Sequence, residues 1–174
     1  MIDLLSPHTG LELLQVDVAN EVVAIPIESV KEVIEYTKIT QVPMCHPVFS
    51  GVINVRGSVV PVIDAAKRLE LDNPNAYDKY SCIILYDSLN AKLQENVTLG
   101  LVVSRVRSIQ SANSEQLYDK PAFGTHIAPN YIWKMVELDR VTTPILAMSE
   151  LLNGEQLNAL LLASQKQLLT RWEG

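Results

Sequence analysis

No run of eighteen apolar residues occurs in the chain, and the opening segment from Met1 to Gly10 lacks the basic start and long apolar core of a secretory signal. The expectation is a soluble, cytoplasmic protein with no segment inserted in a membrane. Clusters of Lys and Arg are equally scarce: 14 basic residues stand against 20 acidic ones, for a net charge of -6. That pattern lacks the footprint a phosphate backbone requires, which sets nucleic acid aside as a partner. The two cysteines, Cys45 and Cys82, lie far apart, and only His46 adjoins either, so neither a zinc site nor a redox pair is indicated. Cys82, inside the apolar run from Tyr80 to Tyr86, reads as a small reduced hydrophobe.

Signals of catalysis are missing as well. His8, His46 and His126 are isolated, and Gly51, Gly57 and Gly100 form no phosphate-cradling loop. No nucleophile stands beside a base, and no carboxylate pair is set for acid and base roles. The expectation is a protein that is not an enzyme and needs no cofactor or metal. The rival reading, an active site in a barrel seam, requires titratable groups from distant strands to converge with displaced pKa values.

What is present is a 174-residue chain with 48% hydrophobic residues, enough for one compact unit or two small ones sharing a core. Leu14, Val16 and Val18 alternate with Gln15 and Asp17, the period of a half-buried strand, and Asn20 and Glu21 turn the chain into a second run from Val22 to Ile27. Pro26 places a strand end or an edge there. After a mixed segment from Ser29 to Tyr36 and a loop marked by Pro43 and Pro47, two branched runs, 52–55 and 59–63, flank Arg56-Gly57-Ser58. Gly57 supplies the positive φ of a tight hairpin. Asp64 is predicted to cap a short helix over 65–69, ended by Asn73-Pro74-Asn75.

Further strands are predicted at 80–86, 97–103, 131–138 and 141–146, with Asp139-Arg140 as the last turn and 111–130 as loop. Leu157, Leu160, Leu161, Leu168, Leu169 and Trp172 fall on one helical stripe, which predicts a helix from about Gly154 to Trp172 laid on the barrels or reaching a partner. Many short strands without βαβ alternation predict a mainly β protein of two small, packed antiparallel barrels.

The string Gly51-Val-Ile-Asn-Val-Arg-Gly-Ser-Val-Val-Pro-Val-Ile-Asp64 resembles the signature of the CheW-like family. Val23-Ala-Ile-Pro-Ile-Glu-Ser-Val-Lys-Glu-Val-Ile34, Ile39-Thr-Gln-Val-Pro43 and Gly100-Leu-Val-Val103 are similar to its other stretches. The likeness runs from about Leu14 to Leu152 and is strongest over 22–71. It implies a CheW-like domain over 12–152, built of two packed five-stranded β-barrels with short helices, followed by the C-terminal helix over 153–174. It also implies an adaptor, recruited to membrane-associated receptor arrays, that binds the cytoplasmic hairpin tip of a chemoreceptor and the regulatory domain of a CheA-type histidine kinase. An adaptor of a non-flagellar chemosensory pathway, for surface sensing or pilus control, fits equally.

Carried over residue by residue, the binding groove falls on Ile27, Val30, Glu32, Val33, Gly51, Asn54 and Arg56. Glu32 and Arg56 are expected to pair across it, with the planar guanidinium holding the carboxylate bidentately. Val30 and Val33 suit plain core packing as well as a groove, and Gly51 suits backbone geometry better than direct contact. The chain departs from the family after the Gly100 strand, where Ser104, Arg105 and Arg107 replace an acidic character, and at Met148, where another acid often lies. These residues are a candidate partner-specificity surface.

Overall fold

A computed structural model describes residues 10–43, 46–90, 94–121 and 126–162. In chain order the strands are β1 (Leu11–Val18), β2 (Glu21–Pro26), β3 (Glu32–Glu35), β4 (Phe49–Val55), β5 (Ser58–Asp64), β6 (Cys82–Asn90), β7 (Glu95–Val103), β8 (Arg105–Ala112), β9 (Leu117–Tyr118), β10 (Ile132–Leu138) and β11 (Val141–Leu146). They form two curled sheets, ordered β8-β1-β2-β11-β10-β9 and β3-β6-β7-β5-β4. The fold is therefore mainly β with two barrel-like units and few helices. Two of its joints are parallel, β2 with β11 and β5 with β7, among otherwise antiparallel pairs.

Turn chemistry explains the hairpins. Arg56 and Gly57 between β4 and β5 have φ of 48° and 86°, and Asp139 and Arg140 between β10 and β11 have 50° and 65°. Positive φ at both central residues matches the right-handed twist of the paired strands. β2 ends at Pro26, which pairs with Leu13 as the last step of the β1 ladder, in keeping with the confinement of proline to strand ends. The second sheet curls back on itself because the chain leaving β3 pairs again with β4: Thr40 and Val52 exchange two backbone hydrogen bonds of 2.9 Å.

The core has three compartments, and strand periodicity decides which side chain enters each. On β6, Ile83 and Leu85 point into the second barrel, while Ile84 and Tyr86 point into the seam between barrels. On β2, Ala24 fills the first barrel and Val23 and Ile25 face the seam. Strands apolar on both faces, such as 99–103, thus serve two cores at once. Gly100 marks the tightest point inside the second barrel, where a Cβ would lie 2.8 Å from Ile83 Cγ2.

The structure differs from sequence expectation in four places. β3 lies in the mixed segment 29–36, since its Glu-Val-Ile-Glu order shows no alternation. β8 and β9 were not expected, and 111–130 contains the end of β8, a 3-10 turn at Ser114–Gln116 closed by an Asn113–Gln116 capping box, β9 and a second 3-10 turn at Pro129–Tyr131. The Asp64 cap is present, accepting from Lys67 N at 3.1 Å, but helix α1 spans only Ala65–Arg68. Glu70, with φ 58°, turns the chain before Asn73-Pro74-Asn75 is reached. Residues 154–162 are helical, with Leu157 and Leu160 buried in the seam. Leu168, Leu169, Trp172, His8 and Cys45 lie outside the described residues.

Candidate functional site

The β4–β5 hairpin places Arg56 at its tip and Asn54 two residues before it. Asn54 Oδ1 accepts a 2.9 Å bond from Gly57 N, which ties the turn to its own strand. From there the guanidinium reaches β3 and donates from Nη1 to Glu32 Oε1 at 3.1 Å and from Nη2 to Glu32 Oε2 at 2.6 Å. The bidentate pair expected from the sequence is thus formed. Its hydrogen bonds hold the Glu32 carboxyl below the ordinary carboxylate range and raise the Arg56 guanidinium in turn. The pair is solvent-facing, so its value lies in fixing two side chains in one geometry rather than in stability.

Gly51 has a different task. Its φ is 139°, and a Cβ there would fall 2.1 Å from the carbonyl oxygen of Thr40. It is buried and lets two backbones approach, so it is not a surface for contact. Val33 is exposed, whereas Ile27 and Val30 are half-buried on a 3-10 turn after β2 and pack against the seam. Val30 lines a cleft of about 360 Å³ in which both sheets meet, with Pro26, Lys31, Asp87, Trp133 and Met148 around it. On its rim Lys31 Nζ donates to Thr98 Oγ1 at 3.1 Å and lies 3.4 Å from Asp87, while Thr98 Oγ1 donates to Asp87 at 2.9 Å. The groove residues therefore divide into a charged edge (Glu32, Val33, Asn54, Arg56) and an apolar wall (Ile27, Val30).

The candidate specificity residues do not form one surface. Met148 is buried and lines the Val30 cleft, so it presents no side chain beside the others. Ser104 is structural: its N–H donates to Asp17 O at 2.9 Å and its Oγ accepts from Ala19 N at 3.2 Å, fixing the β1–β2 turn. Arg107 is held by Asp17 at 2.8 Å. Arg105 lies over the ring of exposed Tyr80 at 5.3 Å, and Lys79 lies over the same ring at 5.1 Å. Both Tyr80 and Trp133 were missed, because an apolar run does not disclose which aromatic faces outward.

Among the described residues, titratable groups do not converge in the seam. Burial pushes Tyr86 up on the seam side, while Tyr77, raised by burial and by its 2.7 Å bond to Asp64, packs on the interior of the second barrel. Burial also pushes up the half-exposed Cys82 thiol. His46 Nδ1 accepts from Val48 N at 3.2 Å, and exposed His126 lies 2.6 Å from Glu21. Among the described residues no group of three His, Cys, Asp or Glu side chains could hold a metal ion, and no helix is long and apolar enough to cross a membrane.

Two curled sheets share a seam, with a cleft of mixed polarity where they meet and a preorganised charge pair at the edge of one of them, which defines a double-barrel β module. The CheW-like domain model matches residues 12–156, and the chain belongs to that family. It is 27% identical over 148 residues to the chemotaxis protein CheW of Klebsiella aerogenes, covering 85% of each chain. To the chemotaxis protein CheW of Bacillus subtilis it is 29% identical over 113 residues, 65% of this chain and 68% of that one. The crystal structure of the scaffolding protein TtCheW from Thermoanaerobacter tengcongensis superimposes with a TM-score of 0.74 at 25% identity, over 83% of this chain and 90% of that chain.

Proposed function

We propose that this chain is a non-enzymatic adaptor coupling the cytoplasmic hairpin tip of a chemoreceptor to the regulatory domain of a CheA-type histidine kinase, in the cytoplasm at membrane-associated receptor arrays. The observation that carries this reading is the CheW-like match over residues 12–156. Its two barrels over 12–152 act as one recognition unit, with the segment 153–174 accessory to it. Control by such a protein is exerted through binding equilibria, since a scaffold changes which conformations of its partners are populated. An apolar wall of Ile27 and Val30 next to Val33, Asn54 and a fixed Glu32–Arg56 pair suits the amphipathic face of a helical hairpin. The preformed pair reduces the side-chain entropy lost on binding.

Titration of the purified protein with a receptor cytoplasmic fragment and with the kinase regulatory domain is expected to give binding to both, at separate surfaces. Arg56→Glu is expected to weaken the receptor complex at least severalfold, because it sets two carboxylates against each other, and to leave the melting temperature nearly unchanged. Unaltered receptor affinity in this variant would remove the charged edge from the site.

Arg105 supports a second reading, an adaptor of a dedicated, non-flagellar array. Two cations on one exposed aromatic ring, Arg105 and Lys79 on Tyr80, offer a small cationic island, bordered by Asp17 and Asp78, on a chain of net charge -6. A kinase domain or companion adaptor with acidic groups at the contact would be selected by it, through encounter and discrimination more than total affinity. Arg105→Asp is expected to slow association with the cognate kinase domain and to narrow its advantage over one from an unrelated system. Equal affinities for both domains, indifferent to the substitution, would mean that this island sets no specificity.

A further inference from the structure

A hollow of about 620 Å³ lies on the second barrel and shares no lining residue with the Val30 cleft. Much of its lining is aromatic. Tyr36, which follows β3, and Tyr77 have ring centroids 5.7 Å apart at 37°, and His46 stands edge-on to Phe49 at 6.1 Å and 62°. Among the described residues the lining holds a single carboxylate, that of Asp64, and it is only 8% exposed.

The structural duties of Asp64 fall on one oxygen. Oδ1 accepts from Lys67 N at 3.1 Å, as the cap of α1, and from the Tyr77 hydroxyl at 2.7 Å. Oδ2 accepts no hydrogen bond from the described residues, and Asp64 enters none of their ion pairs. A nearly buried carboxylate held by neutral donors alone retains the capacity to accept a further one. Lys38 and Lys67 belong to the same lining, are exposed, and likewise enter no ion pair among the described residues. The hollow thus offers an aromatic face, one open acceptor and two cations.

We propose that this hollow binds a purine nucleotide, its base on the Tyr36–Tyr77 wall, a base N–H donated to Asp64 Oδ2, and its phosphate at Lys38 and Lys67. The class of ligand follows from the charges. A simple cation would meet two lysines, and a simple anion would meet Asp64, so the complementary molecule carries a donor at one end and negative charge at the other. Two lysines match the nearly double charge of a phosphate better than the single charge of a carboxylate. The aromatic lining suits a flat ring between those ends, since bases are held on aromatic side chains by their π faces. A purine offers a wider face than a pyrimidine, and about 620 Å³ lies within the range of small-molecule sites. This site is independent of the adaptor reading, because its lining includes neither the groove residues nor Tyr80 and Arg105.

The test titrates the full chain with adenosine and guanosine monophosphate, read by calorimetry and by amide NMR shifts. One site is expected, with shifts at Tyr36, Ile39, Phe49 and Lys67 and none at Val30. Adenosine, inorganic phosphate and free tryptophan are the controls, each expected to bind at least about tenfold more weakly. Asp64→Asn keeps a good cap, because the amide oxygen takes the place of Oδ1, and it sets an N–H donor where Oδ2 stood. That variant is expected to lose about tenfold or more in nucleotide affinity and to melt close to the wild type. Lys38→Gln and Lys67→Gln, at exposed side chains, are each expected to weaken binding severalfold, most at low salt. If Asp64→Asn melts early, the two lysine variants decide, and unchanged affinity in both overturns the proposal. It is equally overturned by no binding of either nucleotide, by a control that binds as tightly, by shifts centred on the Val30 cleft, or by undiminished affinity in a stably folded Asp64→Asn protein.

Discussion

Gly51→Ala is expected to destabilise the fold by about 3 kcal/mol or more, the sum of a strained backbone and damaged pairing. At φ 139° an alanine already occupies a conformation that side chains avoid, and its Cβ would meet Thr40 O at 2.1 Å, Thr40 C at 2.8 Å and Ile39 Cγ2 at 2.9 Å. Two of those atoms are backbone, held by the Thr40–Val52 hydrogen bonds that close the second sheet, so relief requires opening the barrel. For a domain of this size the melting temperature should fall by roughly 6–12 °C. Gly57→Ala is the contrasting control, because its φ is 86° but a Cβ there meets nothing within 4 Å. Thermal or urea denaturation of the two variants separates the effects, and a Gly51→Ala protein melting with the wild type would refute the close-approach account. Lost receptor binding in Gly51→Ala would then follow from the fold rather than from contact.

Ending the chain before Gly154 is expected to lower thermal stability strongly as well. Leu157 and Leu160 are buried in the seam with Leu151 and Leu152, and burying such side chains contributes about 1.5–3 kcal/mol each before ordering costs. The helix is anchored at its start by a reciprocal cap: Gln156 N donates to Asn153 Oδ1 at 2.8 Å and Asn153 N donates to Gln156 Oε1 at 3.1 Å. The same Gln156 oxygen accepts from Arg68 Nη1 at 3.1 Å, which links the helix to α1. Leu160→Ala alone should cost about 2–5 kcal/mol, or roughly 4–20 °C in melting temperature. Calorimetry of the truncated protein and of Leu160→Ala measures this directly. Melting temperatures equal to the wild type would show that the seam is closed without the helix and would leave partner binding as its role.

The parts of the fold legible in the sequence were those with a local physical cause. Valine and isoleucine runs split by Arg56-Gly57-Ser58 or by Asp139-Arg140 define hairpins, since turn geometry and period-two patterning act over a few residues. Asp64 as a helix cap depends only on its carboxylate reaching an amide three positions on, the 3.1 Å bond to Lys67 N. β3 and β8 lacked that signature. Glu32–Glu35 is an edge strand with exposed Val33 and Glu35, and Arg105–Ala112 is mostly solvent-facing, so neither had to alternate apolar with polar residues.

The site divides along the same line. Sequence by itself determined the family motif, the hairpin that carries Arg56, and the complementary charges of Glu32 and Arg56, because charge type and turn propensity belong to the residues themselves. Tertiary structure alone decided which backbone Gly51 approaches, that Met148 is buried apart from Ser104, Arg105 and Arg107, and that Trp133 faces water. Each of those outcomes depends on what a distant segment places within a few ångströms: Thr40 over Gly51, Asp17 beside Arg107, and the register shift between β10 and β11. A bulge of one residue reverses the side to which a strand residue points, and only the pairing of whole strands fixes where that bulge falls.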